Sequence, residues 1–159
     1  MPRRKTQDFT RDIGVDPIYQ SELIQKLINV IMERGKKNIA RRIVYDAIDI
    51  LAKKSGGQDK AVLLFQKAFN QVVPSVEVRA KRVGGSVYQI PVEVRKKRGQ
   101  SLALKWIITG AKSRSNKTMG ERLGYELVEA SEGRGAAVKK KIDTHKMAES
   151  NRAFAHYAW

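Results

Sequence analysis

Apolar residues recur along this chain in blocks, and their spacing changes once from helical to alternating and back. From Ser21, the positions Leu23, Ile24, Leu27, Ile28 and Ile31 return every three or four residues, which predicts a helix stopped by Gly35. A second helix carries Ile39, Ile43, Val44, Ala47, Ile50 and Leu51 on one face and ends at Ser55-Gly56-Gly57. The third runs from Asp59, placed as its N-cap, through Val62, Phe65 and Phe69 until Pro74, which has no N–H to continue a helix. The period then becomes two. Val76 and Val78, then Tyr88 and Ile90 beyond Gly84-Gly85, alternate with polar neighbours and predict a β-hairpin over residues 75–91, with one apolar and one charged face. Arms of about seven residues would carry its tip about 23 Å from the body.

Helical spacing returns with Leu102, Leu104, Trp106, Ile107 and Ile108, apolar around so much of the circumference that this fourth helix is expected to be central. Thr118 and Glu121 form a capping-box pattern that opens a fifth helix with Leu123, Leu127 and Val128. Gly133 and Gly135 end it, and a sixth begins near Ala136 with Val138, Ile142 and Met147. The expected fold is mainly α: a six-helix domain with a protruding β-hairpin between the third and fourth helices, plus an extended basic N-terminal arm. The arm takes residues 1–18, the helical domain 19–151 and a C-terminal tail 152–159.

Charge narrows the function. The 159 residues hold 32 Lys and Arg against 16 Asp and Glu, a net charge of +16. Such a surface repels itself and gains by displacing counterions from a polyanion, so nucleic acid is the expected partner. No apolar run reaches the length of a spanning helix and no leader pattern follows Met1, so the chain is expected to be soluble and unexported, with no membrane partner. The absence of cysteine removes disulfides and thiolate metal sites, and His145 and His156 form no ligand pair, so neither metal nor cofactor is expected.

Positive charge gathers on connectors rather than on helix faces. Arg34, Lys36 and Lys37 occupy the elbow between the first two helices, Arg95, Lys96, Lys97 and Arg98 precede the fourth, and Arg79, Lys81 and Arg82 approach the hairpin tip. Three clusters of this kind favour phosphate binding over ordinary solvated charge. Gly84 and Gly85 are explained as turn formers, and no P-loop spacing surrounds them. Phe65, Phe69 and Trp106 lie on apolar stripes, where packing explains them. Phe154, Tyr157 and Trp159 fit packing on the sixth helix and contact with RNA equally well. His145 has no partner constellation for acid–base chemistry and reads as a surface histidine; the carboxylates are scattered among lysines, so no enzyme is expected.

Several segments together resemble the small-subunit ribosomal protein seven family of bacterial and organellar type. They are Ser21 to Ala47 with Leu27-Ile28, Gly35-Lys36-Lys37 and Ile43-Val44; Val76 to Pro91; Ser101 to Trp106; Gly135 to Lys141; and Met147 to Trp159. The resemblance implies a structural constituent of the small ribosomal subunit, a primary binder of the 3′ major domain of 16S-type rRNA that nucleates assembly of the subunit head. It implies rRNA contacts from Arg3, Arg4, Lys5, Arg11, Arg34, Lys36, Lys37, Arg41, Arg95, Lys96, Lys97, Arg98 and Arg114. The hairpin residues Arg79, Lys81, Arg82, Gly84 and Gly85 would lie near exit-site tRNA and mRNA. Further implied partners are small-subunit proteins nine and eleven, with no homo-oligomer in the working state, in a cytoplasmic ribosome or an organellar one.

Two departures from the family pattern stand out. Gly120 and Gly124 replace the more usual alanine inside the fifth helix, where an interior glycine costs about 1 kcal/mol, so that helix is expected to be soft when free. Ala158 stands where a basic residue is common, which weakens any phosphate contact there. Composition alone equally permits a basic DNA-architectural or transcription-associated protein. RNA shape, rather than base edges, is the expected source of specificity on a surface poor in aromatics.

Overall fold

The computed structural model describes residues 12–157, mainly helical with one two-stranded sheet. Arg3, Arg4, Lys5, Arg11, Ala158 and Trp159 lie outside the described residues. Helix α1 (Glu22–Ile31) starts at Ser21, whose hydroxyl accepts from the Ile24 N–H at 3.4 Å. It stops a turn before Gly35: Met32 is extended, and Arg34 and Gly35 take φ values of 52° and 75°. Ahead of α1, the buried Asp16 accepts from the N–H groups of Ile18 and Tyr19 and from the Tyr45 hydroxyl at 2.9 Å, which ties the entering chain to the second helix. Burial first, then that hydrogen bond and the Asp16 charge, push the Tyr45 phenol up to about 12.

Helix α2 (Lys37–Ser55) buries Ala40, Val44, Ala47, Ile48 and Leu51. This stripe keeps Val44, Ala47 and Leu51 of the expected one and adds Ala40 and Ile48. Apolar residues line both, and packing chose the inner, leaving Ile43 and Ile50 half-buried and Ile39 55 % exposed. Helix α3 (Gln58–Val72) begins before Asp59, with Gly57 as its N-cap; Asp59 sits in the first turn, where a negative charge still suits the helix end.

Strands β1 (Val76–Val83) and β2 (Ser86–Glu93) pair antiparallel around a two-residue turn, with Gly84 and Gly85 at φ 58° and 92°. Both values are cheap only for glycine, and they give the primed turn that matches strand twist. The register corrects the expected apolar face. A two-residue turn pairs even positions of β1 with odd positions of β2, Val78 with Pro91 and Arg79 with Ile90. Directly paired residues share a face. Tyr88 and Ile90 therefore lie with Glu77, Arg79 and Lys81, opposite Val76 and Val78.

Helix α4 (Lys96–Lys112) takes Lys96, Lys97 and Arg98 as its first turn. Helix α4 packs against α1, α3, the fifth helix and the sixth, as expected of a central helix, and α5 (Met119–Ser131) is equally central, packing against α2, α3, α4 and the sixth helix. Thr118 and Glu121 make the expected reciprocal capping box. The two glycines explain the close approach of α5 to α2: a Cβ on Gly120 would stand 2.7 Å from Asp46 Cβ, and one on Gly124 2.8 Å from Ile50 Cδ1.

Helix α6 (Ala136–Ser150) buries Ala137, Val138, Thr144 and Ala148, while Ile142 and Met147 face outward, contrary to expectation. Small residues let α6 lie close to its neighbours and leave no depth for the larger side chains. His145 is half-buried rather than superficial, its Nε2 accepting from the Ser75 N–H at 3.3 Å at the base of the hairpin. The tail forms a 3₁₀ helix (Arg152–Tyr157) lying chiefly on β2. The Tyr88 ring meets Phe154 at 5.0 Å and Tyr157 at 6.2 Å between centroids, and Lys81 Nζ donates to the Tyr157 carbonyl at 3.1 Å.

Candidate nucleic-acid interface

The N-terminal end of a helix carries a partial positive charge and four N–H groups without helical partners. Helices α1 and α5 answer it in the ordinary way, Ser21 with Glu22 and Thr118 with Glu121. Helix α6 is answered from elsewhere. Glu126 of α5, fully buried, accepts from the Ala137 N–H at 2.8 Å through Oε1 and from Arg114 Nε at 2.7 Å through Oε2. Arg114 also bonds Glu129, and its side chain is 19 % exposed.

Helices α2 and α4 do the opposite. Their N-caps are Lys36 and Arg95, neither side chain makes a capping hydrogen bond, and neither first turn holds an acid. Lys37 follows in one and Lys96, Lys97 and Arg98 in the other. Cations on a positive helix end repel it, and an anion bound across both relieves the repulsion. The elbow lies beside the C-terminal end of α4, where Lys112 pairs with Glu33 at 2.7 Å. The two basic starts are therefore separated by roughly the length of α4, about 25 Å at 1.5 Å per residue.

Among the described residues, Arg34, Lys36, Lys37, Arg95 and Lys96 are exposed and form no ion pair, and Lys97 is exposed as well. Arg41 lies one turn beyond Lys37, half-buried, with its Nε shielded from solvent and without a partner. Arg98 reaches back to the hairpin base, where buried Glu77 takes it at 3.2 Å and Arg79 at 2.6 Å. Burial pushes the Glu77 carboxyl up, but the hydrogen bonds and charges of Arg79 and Arg98 outweigh it and hold it below the ordinary range. The Arg79 and Arg98 side chains stay 62 % and 51 % exposed, so each keeps an outward edge. Arg82 is exposed beside the Gly84-Gly85 tip.

The structure thus gathers the elbow with Arg41, and the α4 start with the hairpin base. It removes Arg114 from the candidate surface, because that guanidinium is committed to two carboxylates of its own chain. It also brings Lys112 and Arg122 beside Lys36, which sequence reasoning missed because they lie on separate elements far from it along the chain. No group of three His, Asp or Glu side chains among the described residues is placed to hold a metal ion, and no described helix is long and apolar enough to cross a membrane.

A helical body with a projecting hairpin, and with cations placed on two uncapped helix starts, defines a basic protein class whose surface faces a polyanion. The sequence model of the ribosomal protein S7p/S5e family matches residues 2–152. A small ribosomal subunit protein uS7 from Francisella tularensis subsp. holarctica is 52% identical over 156 residues, covering 98% of this chain and 99% of the relative. Another, from Clostridium beijerinckii, is 49% identical over 159 residues and covers both chains completely. The chain belongs to the ribosomal protein S7p/S5e family.

Proposed function

We propose that the chain is a structural constituent of the small ribosomal subunit that binds the 3′ major domain of 16S-type rRNA and nucleates assembly of the head. The observation that carries this reading is the family match over nearly the whole chain, together with exposed cations at the uncapped starts of two helices. Phosphates are taken by Arg34, Lys36, Lys37 and Arg41 at one end of α4 and by Arg95, Lys96, Lys97 and Arg98 at the other, with Arg3, Arg4, Lys5 and Arg11 of the arm adding further contacts. Arg114 is left out for the reason given above. The hairpin, with Arg79, Lys81, Arg82, Gly84 and Gly85, extends toward exit-site tRNA and mRNA. Small-subunit proteins nine and eleven are its neighbours, and the chain works as a single copy within a cytoplasmic or organellar ribosome.

The mechanism is binding. Lys and Arg displace counterions, and a rigid helical body fixes the distance between the two phosphate clamps, so folded RNA of one shape satisfies both. The rival is a DNA-architectural protein, and competition separates the two. A transcript of the head domain should bind with a steep loss of affinity as salt rises, and duplex DNA at equal nucleotide concentration should not displace it. Displacement by the DNA would end the ribosomal reading.

A further inference from the structure

The elbow borders a pocket that phosphate binding alone does not use. It measures about 440 Å³ and lies between the elbow, α2 and the junction of α4 with α5. Its walls are aliphatic, with Ile31, Ile39, Ile43 and Met119, and its rim carries Lys36, Lys112 and Arg122 against the single acid Glu33. Ile39, in the first turn of α2, is an apolar side chain that the described residues leave 55 % exposed. Arg122 is half-buried, and its Nε donates to the Asn116 carbonyl at 2.6 Å, which fixes the plane of the guanidinium.

We infer that this pocket receives one unstacked nucleobase of the bound RNA, with the adjoining phosphates held at Lys36 and Arg122. The inference rests on the proposed rRNA binding and adds a base contact to it. Three features select this occupant. The rim is net positive and continuous with the elbow cations, so an occupant with flanking anionic groups fits and an acid-free apolar peptide does not. The walls are apolar, as a base face requires. A guanidinium held in one plane offers a flat cationic surface of the kind on which bases stack. The Lys112–Glu33 pair is exposed on both sides, at 57 % and 73 %, and such surface pairs open at little cost. The pocket also supplies something that shape reading by phosphate contacts cannot, a position in the RNA that must be unpaired.

The test is Ile39→Ala, measured for affinity to a head-domain transcript over a range of salt, with Lys36→Glu plus Lys37→Glu as the comparison. Ile39 lies off the buried stripe, so the circular-dichroism signal of the variant should match the parent. The expected result is binding about tenfold weaker at every salt concentration with an unchanged log–log slope, because an apolar contact is lost and no phosphate contact is. The lysine pair should instead flatten the slope. Parent-like binding by Ile39→Ala beside weakened binding by the lysine pair would overturn the base pocket and leave the proposed function standing. Parent-like binding by both would remove the elbow from the RNA interface and take the pocket with it. A photoreactive side chain at position 39 in assembled subunits should attach to RNA; attachment to a protein instead would overturn the inference in favour of a protein neighbour.

Discussion

Helix α5 begins with a capping box and α6 with the Glu126 carboxylate on its Ala137 N–H, while α2 and α4 begin with neither a side-chain cap nor an acid in the first turn and with cations in their place. The capping box of α5 follows the rules that stabilise a helix on its own, and α6, which has no side-chain cap of its own, is answered by a carboxylate from α5. The second pair breaks them twice, by omission of the cap and by the sign of the charge, and it breaks them where the chain is exposed. Local rules broken at exposed Lys36, Lys37, Arg95 and Lys96, which form no ion pair among the described residues, point to a partner outside the chain. The difference separates residues that hold the fold from residues that wait for a phosphate, and it does so for cations of one chemical type: Arg114 belongs to the first set, Lys36 and Lys96 to the second.

The strongest way to sharpen that contrast is to empty the buried cap. Glu126→Ala leaves Arg114 with Glu129 alone and the Ala137 N–H without an acceptor. Removing one partner of a buried pair typically costs several kcal/mol, so unfolding in urea should show a loss of about 3 kcal/mol, softened by the partial exposure of Arg114. Affinity of the folded protein for the rRNA transcript should stay within about twofold, since no residue of the proposed interface is touched. A large loss of affinity with intact stability would place Glu126 and Arg114 in the interface after all.

That assignment could not be read along the chain. The capping box at Thr118 and the Gly84-Gly85 turn were legible because their chemistry is complete within four residues. The basic connectors were legible for the same reason, as local runs. Glu126 acts on Ala137 and Arg114 through the packing of three elements, which spacing does not encode. Val44, Ala47 and Leu51 of the α2 stripe were legible, whereas Ala40 and Ile48 rather than Ile39, Ile43 and Ile50 complete the buried face, and only the approach of α5 through Gly120 and Gly124 decides between them. The hairpin face was misjudged because alternation was followed along each arm without carrying its parity across the turn.

A smaller effect tests the Glu77 carboxylate, an acid that meets the α4 start. Glu77, with a side chain 10 % exposed, joins Arg98 of that first turn to Arg79 of the hairpin. Its carboxyl is held below the ordinary range in the folded chain. A group with a depressed folded pKa contributes stability that is fully present above its unfolded value, about 4.3 for Glu, and is lost as pH falls through the folded value. Glu77→Gln should therefore be less stable than the parent by about 1 kcal/mol at pH 7, a figure kept low by the exposure of both arginines. The gap should close as pH falls below about 4. A gap independent of pH would mean that packing, not charge, is what Glu77 supplies.

The smallest change in stability carries the sharpest contrast, because its two readouts should move in opposite directions. Lys36→Glu with Lys37→Glu replaces cations at the start of α2, where no side chain caps the helix and no acid balances its dipole. A negative charge at that end stabilises a helix by a few tenths to about 1 kcal/mol, so the midpoint of urea unfolding should rise slightly, equivalent to about 0.5 kcal/mol. Both residues are exposed and lie off the buried stripe, so no packing loss opposes the gain. RNA affinity should fall on the order of 100-fold near 0.1 M salt, with a shallower salt slope, since two attractions become two repulsions. A residue kept for the fold cannot behave this way: its removal lowers stability and affinity together. If the variant lost stability, the cations of the elbow would be serving α2 itself, and the division between the two kinds of helix start would fail at its clearest example.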